Sequence, residues 1–291
     1  MTRYRYSNLS AAIRDKQSPL RVWLSEMFPN TREVQADYRK NDPVIVVDGG
    51  EANPGTLGSA FDFAMRYELK PTYDADIARY AFARDERLIS EIDAVIIAAQ
   101  VSRRVGDLET VYRASWALAL LTEVYRAGLK PGSPLLELHA AGRLDARHLL
   151  ELAPADALRQ LDALVPLAKE VVGPSLGSPL VLGPTFDASE LCAADADVIA
   201  NGLLLDFKTS VGAKANRPGG RADRLDLNDL FQIISYALFD FSDTYKIREV
   251  GIYSARFGHL VTWNLSDLLE VLAGVPVDLG TARVRAREAL S

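Results

Sequence analysis

The chain has 291 residues, 48% hydrophobic and 25% charged, enough to bury one large core or two modest ones and too apolar for a disordered protein. Its one cysteine, Cys192, excludes a disulfide framework and a thiolate zinc cluster, and points to a reducing, cytoplasmic setting. A net charge of −6 argues against a broad basic footprint for nucleic acid, but a metal site needs acids of its own and the field acts locally.

The opening residues MTRYRY are too polar for the apolar core of a signal peptide. No apolar run approaches the roughly 20 residues of a membrane span. The expectation is a cytoplasmic protein with no membrane partner. Residues 1–57 read as an N-terminal segment, with a helix over 20–27 that Pro29 ends. The β-branched run 43–48 (PVIVVD) suggests a small strand or buried connector, and Asn53-Pro54-Gly55 a turn.

From 58 to 172 the pattern is mostly helical. Residues 58–69 place Ala60, Phe61, Ala64, Met65 and Leu69 at helical spacing, and further helices are predicted over 74–82, 86–101, 108–127, 145–152 and 155–171. Gly128 marks a helix stop and Asp145 an N-cap, while Pro166 should kink or split the last segment. Residues 173–184 hold three prolines and three glycines and read as a connection.

The stretch 173–265 reads as a sheet core. Strand-like runs 196–200 and 203–209 flank Asn201-Gly202, the dipeptide suited to a type I′ turn because both central residues need positive φ. Counting outward from that turn pairs Ala200 with Leu203, and Asp197 with Asp206. Period two then puts Lys208 on the same face as Asp206, with Phe207 turned away. Two facing carboxylates repel, and a hard divalent cation, Mg²⁺ or Mn²⁺, resolves the conflict beside a phosphate that Lys208 could help to neutralise. An acid-x-Lys triplet is weak by itself, since Glu68-Leu69-Lys70 is another; the strand, the turn and the opposing Asp197 distinguish this one. The plain alternative is a solvated strand end with a surface ion pair.

Residues 211–225 form a loop with Lys214, Arg217, Arg221 and Arg224 against the single acid Asp223, a candidate track for a phosphate backbone. A helix over 228–241 follows, in which Gln232 and Tyr236 share a face at i, i+4. Strands over 249–255 and 259–263 come next, then a C-terminal helical segment, 266–291, with Ser266 as N-cap. Asp195 could share a strand face with Asp197. His139, His148 and His259 are scattered, and no Ser/His/Asp grouping, HExxH, Walker A or GxGxxG pattern stands out.

The order Asp197, Asp206-x-Lys208, Gln232-x-x-x-Tyr236 resembles the RecB-like branch of the PD-(D/E)XK nuclease superfamily, over residues 180–236 and more loosely over 58–66. Gly58-Ser59-Ala60-Phe61-Asp62 is similar to that family's early G-x-x-x-H helix, with Asp62 where His is usual. The resemblance implies a single α/β nuclease domain with a small mixed sheet of the restriction-endonuclease type, flanked by helices and carrying a large helical insertion. It implies metal ligation by Asp197, Asp206 and the Phe207 carbonyl, assistance of the attacking water by Lys208, and support from Gln232, Tyr236, Asp62 and Asp195. The expected reaction is Mg²⁺- or Mn²⁺-dependent hydrolysis of DNA phosphodiesters. The rival expectations are a nucleic-acid-binding module that no longer cleaves, and a helical adaptor acting through 74–172.

Overall fold

The computed structural model describes residues 4–215 and 220–290. The chain forms two compact units: a sheet unit of Met1–Ile45, Val172–Lys208 and Gly212–Ser291, and a helical unit of Val46–Val171 with Thr209–Val211. The architecture is α/β, with a small mixed sheet flanked by helices and supplemented by a large helical insertion.

The strands are β1 (Leu180–Leu182), β2 (Val198–Ala200), β3 (Leu203–Lys208), β4 (Ala213–Lys214), β5 (Arg221–Ala222), β6 (Glu249–Ser254) and β7 (His259–Asn264). Five of them form one sheet in the order β1-β2-β3-β6-β7, and β4 and β5 make a separate antiparallel ribbon. The β3–β6 pair is parallel and its neighbours are antiparallel. A parallel pair cannot be closed by a tight turn and needs a crossover, usually a helix. The helix Leu227–Phe239 supplies it and packs on both β3 and β6.

The β2–β3 hairpin turns at Asn201-Gly202, with φ of 48° and 81°, and its ladder pairs Ala200 with Leu203 and Val198 with Leu205. Gly202 has a packing reason as well as a conformational one. A Cβ there would sit 2.8 Å from the Lys246 carbonyl oxygen. Ile199, Leu204, Val250 and Ile252 join Phe231, Ile234 and Leu238 of the crossover helix in one core. Burial of each such side chain contributes about 1.5–3 kcal/mol. Because strand side chains alternate, Leu204, Asp206 and Lys208 share the face covered by that helix.

Helices Leu9–Arg14 and Leu279–Glu288 pack against the crossover helix, and Thr31–Tyr38 packs on Leu265–Ala273. In the helical unit, Leu108–Ala127 is the central element, against Pro54–Leu69 and Glu86–Val105. Eleven of its residues are buried, from Val111 to Thr122, which explains why its sequence is apolar on nearly every side.

Several boundaries differ from expectation for local reasons. The run 43–48 forms no strand, and Val44 and Val46 are exposed. Asn53-Pro54-Gly55 is not a free turn but the start of Pro54–Leu69, with Asn53 Oδ1 accepting from Thr56 N and Pro54 in the first turn. Residues 74–82 give a 3₁₀ helix, Asp76–Phe82, and Ala155–Val172 runs unbroken through Pro166. Asn264, not Ser266, caps the helix Leu265–Ala273. The connection over 173–184 contains β1, and the loop over 211–225 contains the β4–β5 ribbon. At the ribbon's entry Gly212 has φ of 71°, and a Cβ there would lie 2.5 Å from the Ala222 carbonyl oxygen. Among the described residues no helix is long and apolar enough to cross a membrane.

Candidate active site

Asp206 and Lys208 leave the core at the carboxyl end of β3, on the face beneath the crossover helix. That end of a parallel strand, where a crossover begins, is the usual place for ligands in open α/β sheets. Asp206 is 4% exposed, and its Oδ2 lies 2.7 Å from Lys208 Nζ. The same ammonium is 3.0 Å from Asp229 Oδ1 and donates to Gln232 Oε1 at 2.8 Å. Burial works against the charge on Lys208, but Asp206 and Asp229 outweigh it and hold the pKa above the ordinary lysine value.

Asp197 precedes β2, and the hairpin register continued by one pair sets it opposite Asp206. Its Oδ2 accepts from the Phe207 backbone N–H at 2.5 Å, a bond across the hairpin that fixes the carboxylate toward β3. The Phe207 ring meets Tyr253 edge-on, with centroids 6.0 Å apart. Asp195 bridges antiparallel to Thr185.

Tyr236 ties these acids to the helix. Gln232 Nε2 donates to its hydroxyl at 2.6 Å, and its ring stacks on Phe186 with centroids 5.5 Å apart. Burial pushes the phenol pKa well above the ordinary value, and the charges of Asp206, Asp195 and Asp197 push it the same way. Tyr236, Gln232 and Lys208 therefore form a hydrogen-bonded chain running from the core to β3. The i, i+4 spacing places the two helix residues on one side, and the amide is oriented with its oxygen toward the lysine.

The structure thus brings together Asp195, Asp197, Asp206, Phe207, Lys208, Gln232 and Tyr236. Asp62 belongs to the helical unit, where its carboxylate is gripped by Arg66, Nη2 to Oδ2 at 2.6 Å and Nε to Oδ1 at 3.0 Å. The Arg66 Nη1 also donates to Tyr73. Within the same unit a Cβ at Gly58 would come 3.1 Å from Thr209 Oγ1. Of the basic candidates, Lys214 on β4 and Arg224 after β5 are exposed and Arg221 is partly buried. Arg217 lies outside the described residues.

Sequence reasoning missed two groups. Asp229 is three residues before Gln232, and that helical spacing was its available signal. The second group is a buried hub. The Asp223 carboxylate accepts from Tyr38 OH at 2.8 Å, from Ser254 Oγ at 3.0 Å and from His259 Nδ1 at 2.8 Å. Ser, His and Asp are therefore gathered here after all. Both Ser254 and His259 bond to the acid, however, so this is not the nucleophile–base–acid relay of a hydrolase triad. Tyr38 is held above its ordinary pKa by burial and by Asp223.

Among the described residues, no group of three or more His, Cys, Asp or Glu side chains converges on a point that could hold a metal ion. The hairpin register, continued by one pair, sets the positions of Asp197 and Asp206 opposite one another, with main-chain atoms of the same hairpin beside them. Carboxylate and carbonyl oxygens are hard donors, and two carboxylates are a donor set that would suit an ion such as Mg²⁺, which keeps several waters, better than one that needs a full protein cage. No protein-family model matches the chain, and no curated protein or solved structure matches it either.

Proposed function

We propose that the protein is a metal-dependent nuclease of the PD-(D/E)XK type, hydrolysing DNA phosphodiester bonds on a restriction-endonuclease-like core. One observation carries the reading. Asp206 and Lys208 share the sheet face beneath the helix of Gln232 and Tyr236, and the register sets Asp197 across from Asp206. Asp206 and Asp229 act on Lys208, and Asp206, Asp195 and Asp197 act on Tyr236, so the acids are gathered about this end of β3.

In this reading Asp197, Asp206 and the Phe207 carbonyl hold Mg²⁺ or Mn²⁺. When bound, the ion polarises a phosphoryl oxygen and makes its water more acidic. Lys208 donates to the attacking water and steadies the charge that grows on the phosphate. Gln232 aims the ammonium, and Tyr236 aims Gln232. Lys214, Arg221 and Arg224 on and after the ribbon, with Arg217, contact the phosphate backbone away from the reacting bond.

The test is cleavage of plasmid and single-stranded DNA with Mg²⁺ or Mn²⁺, by wild type and by Lys208→Ala. Metal-dependent cleavage that the variant loses supports the reading; no cleavage with either metal, or equal cleavage by the variant, removes it. A second reading, a nucleic-acid-binding module that does not cleave, draws on Asp62. Its carboxylate is neutralised by Arg66. DNA binding without Mn²⁺ binding would favour that alternative.

A further inference from the structure

Two carboxylates, Asp206 and Asp229, meet on the one Lys208 ammonium. An ammonium offers three N–H donors, and here three acceptors stand at 2.7, 3.0 and 2.8 Å: Asp206, Asp229 and Gln232. One of these, Asp206, is also the carboxylate that a divalent cation would need in the nuclease reading. A cation and an ammonium therefore compete for the same oxygen.

We propose that Asp229 is a positioning residue that resolves this competition. When a divalent cation takes Asp206, Asp229 retains the Lys208 ammonium, so the lysine passes from one carboxylate to another and stays beside the phosphate. The inference rests on the nuclease reading and assigns a task to a residue outside its motif.

Three features of the structure support it. First, Lys208 is largely buried, its side chain 23% exposed, and an ammonium in such a place is costly to leave with only a neutral amide. A second carboxylate is what keeps it stable without Asp206. Second, Asp229 is well fixed for the task. It sits in the first turn of Leu227–Phe239, a helix capped by Asp226, where the helix dipole favours a negative charge. Among the described residues it has no other ion-pair partner. Third, Gln232 is already oriented by Tyr236, so the lysine keeps two of its three contacts through the exchange. Asp229 and Gln232 also line a cavity of about 230 Å³ with Ser10, Arg14, Asp226 and Asn228.

The test is calorimetric titration of the full chain with Mn²⁺, as wild type, Asp229→Asn, Asp229→Glu, Lys208→Met and the double variant Lys208→Met/Asp229→Asn. Circular dichroism confirms that each is folded. Asp229→Asn should weaken Mn²⁺ binding about tenfold, because Lys208 then holds Asp206 more tightly against the ion. Asp229→Glu should restore most of that loss. With Lys208→Met already present, adding Asp229→Asn should change binding less than about twofold, since nothing remains to be retained. An unchanged wild-type affinity in Asp229→Asn overturns the inference alone. So does a tenfold loss that persists without Lys208, which would make Asp229 a mere contributor to the local field. If wild type binds no Mn²⁺, the nuclease reading falls and takes this inference with it.

Discussion

Asp223 and Asp206 are both buried aspartates of the sheet unit, 8% and 4% exposed, yet their surroundings differ in kind. Asp223 is a single carboxylate answered by three donors, from Tyr38, Ser254 and His259, contributed by the helix Thr31–Tyr38, β6 and β7. Its hydrogen-bonding demand is met within the fold, and the result is a joint between elements. Asp206 shares one ammonium with Asp229, while Asp195 and Asp197 add negative charge nearby. That cluster gathers several carboxylates about the Lys208 ammonium. A buried acid answered by donors from three elements serves structure, whereas carboxylates gathered about a lysine at the end of a strand are, in the nuclease reading proposed above, where a cation from outside would bind.

The comparison breaks most visibly at Asp206. Asp206→Asn should lower Mg²⁺-dependent cleavage by roughly 10²–10³-fold while the protein stays folded, as read by initial rates on plasmid DNA and by circular dichroism. An active Asn variant would show that the Asp206 carboxylate has no chemical use. Asp223→Ala should act oppositely. It leaves Tyr38, Ser254 and His259 without their acceptor and should cost about 2–4 kcal/mol in urea unfolding, while the Mn²⁺ affinity of the folded protein holds. A large loss of Mn²⁺ affinity at unchanged stability would mean that the two clusters had been assigned the wrong way round.

A smaller effect sharpens the boundary between the two. Tyr236→Phe removes the hydroxyl that accepts from Gln232, a bond worth about 1 kcal/mol, so cleavage should fall roughly fivefold with little change in KM. Gln232 orientation would be irrelevant if the rate did not move.

At neutral pH the smallest expected effect is from the ionisation of Cys192, a buried group outside both clusters. Burial pushes its thiol pKa up to about 12. A raised thiol pKa leaves stability untouched below the unfolded value of about 8.5 and lowers it above that, because only the unfolded chain ionises there. Replacing Cys192 by Ala should therefore flatten the decline of stability between about pH 8.5 and 12. A decline identical in both proteins would contradict the burial argument.

The parts of this molecule that sequence made readable are those with local causes. Asn201-Gly202 announces its turn because few residues accept positive φ, and once the turn is placed the pairing of Ala200 with Leu203 follows by counting. The same counting puts Asp206 and Lys208 on one face. The helix of Gln232 and Tyr236 is legible from spacing alone. What was hidden depends on distant partners. β1 is three residues wedged between Pro179 and Gly183-Pro184, and it is a strand because β2 pairs with it. The Asp223 hub joins residues 185, 36 and 31 positions apart, which no window of sequence brings together. Val44 and Val46 misled in the other direction, being β-branched residues with no strand beside them. Asp229 drew no notice in the sequence, being one acid in the first turn of a helix, and its contact with Lys208 depends on where β3 ends.

Crystals of the protein soaked in Mn²⁺ and measured for anomalous scattering test the central claim most directly. The account predicts a peak between the Asp197 and Asp206 carboxylates, within roughly 2.0–2.3 Å of an oxygen from each, with Lys208 still beside Asp229. Anomalous density elsewhere and none at the two aspartates would contradict it.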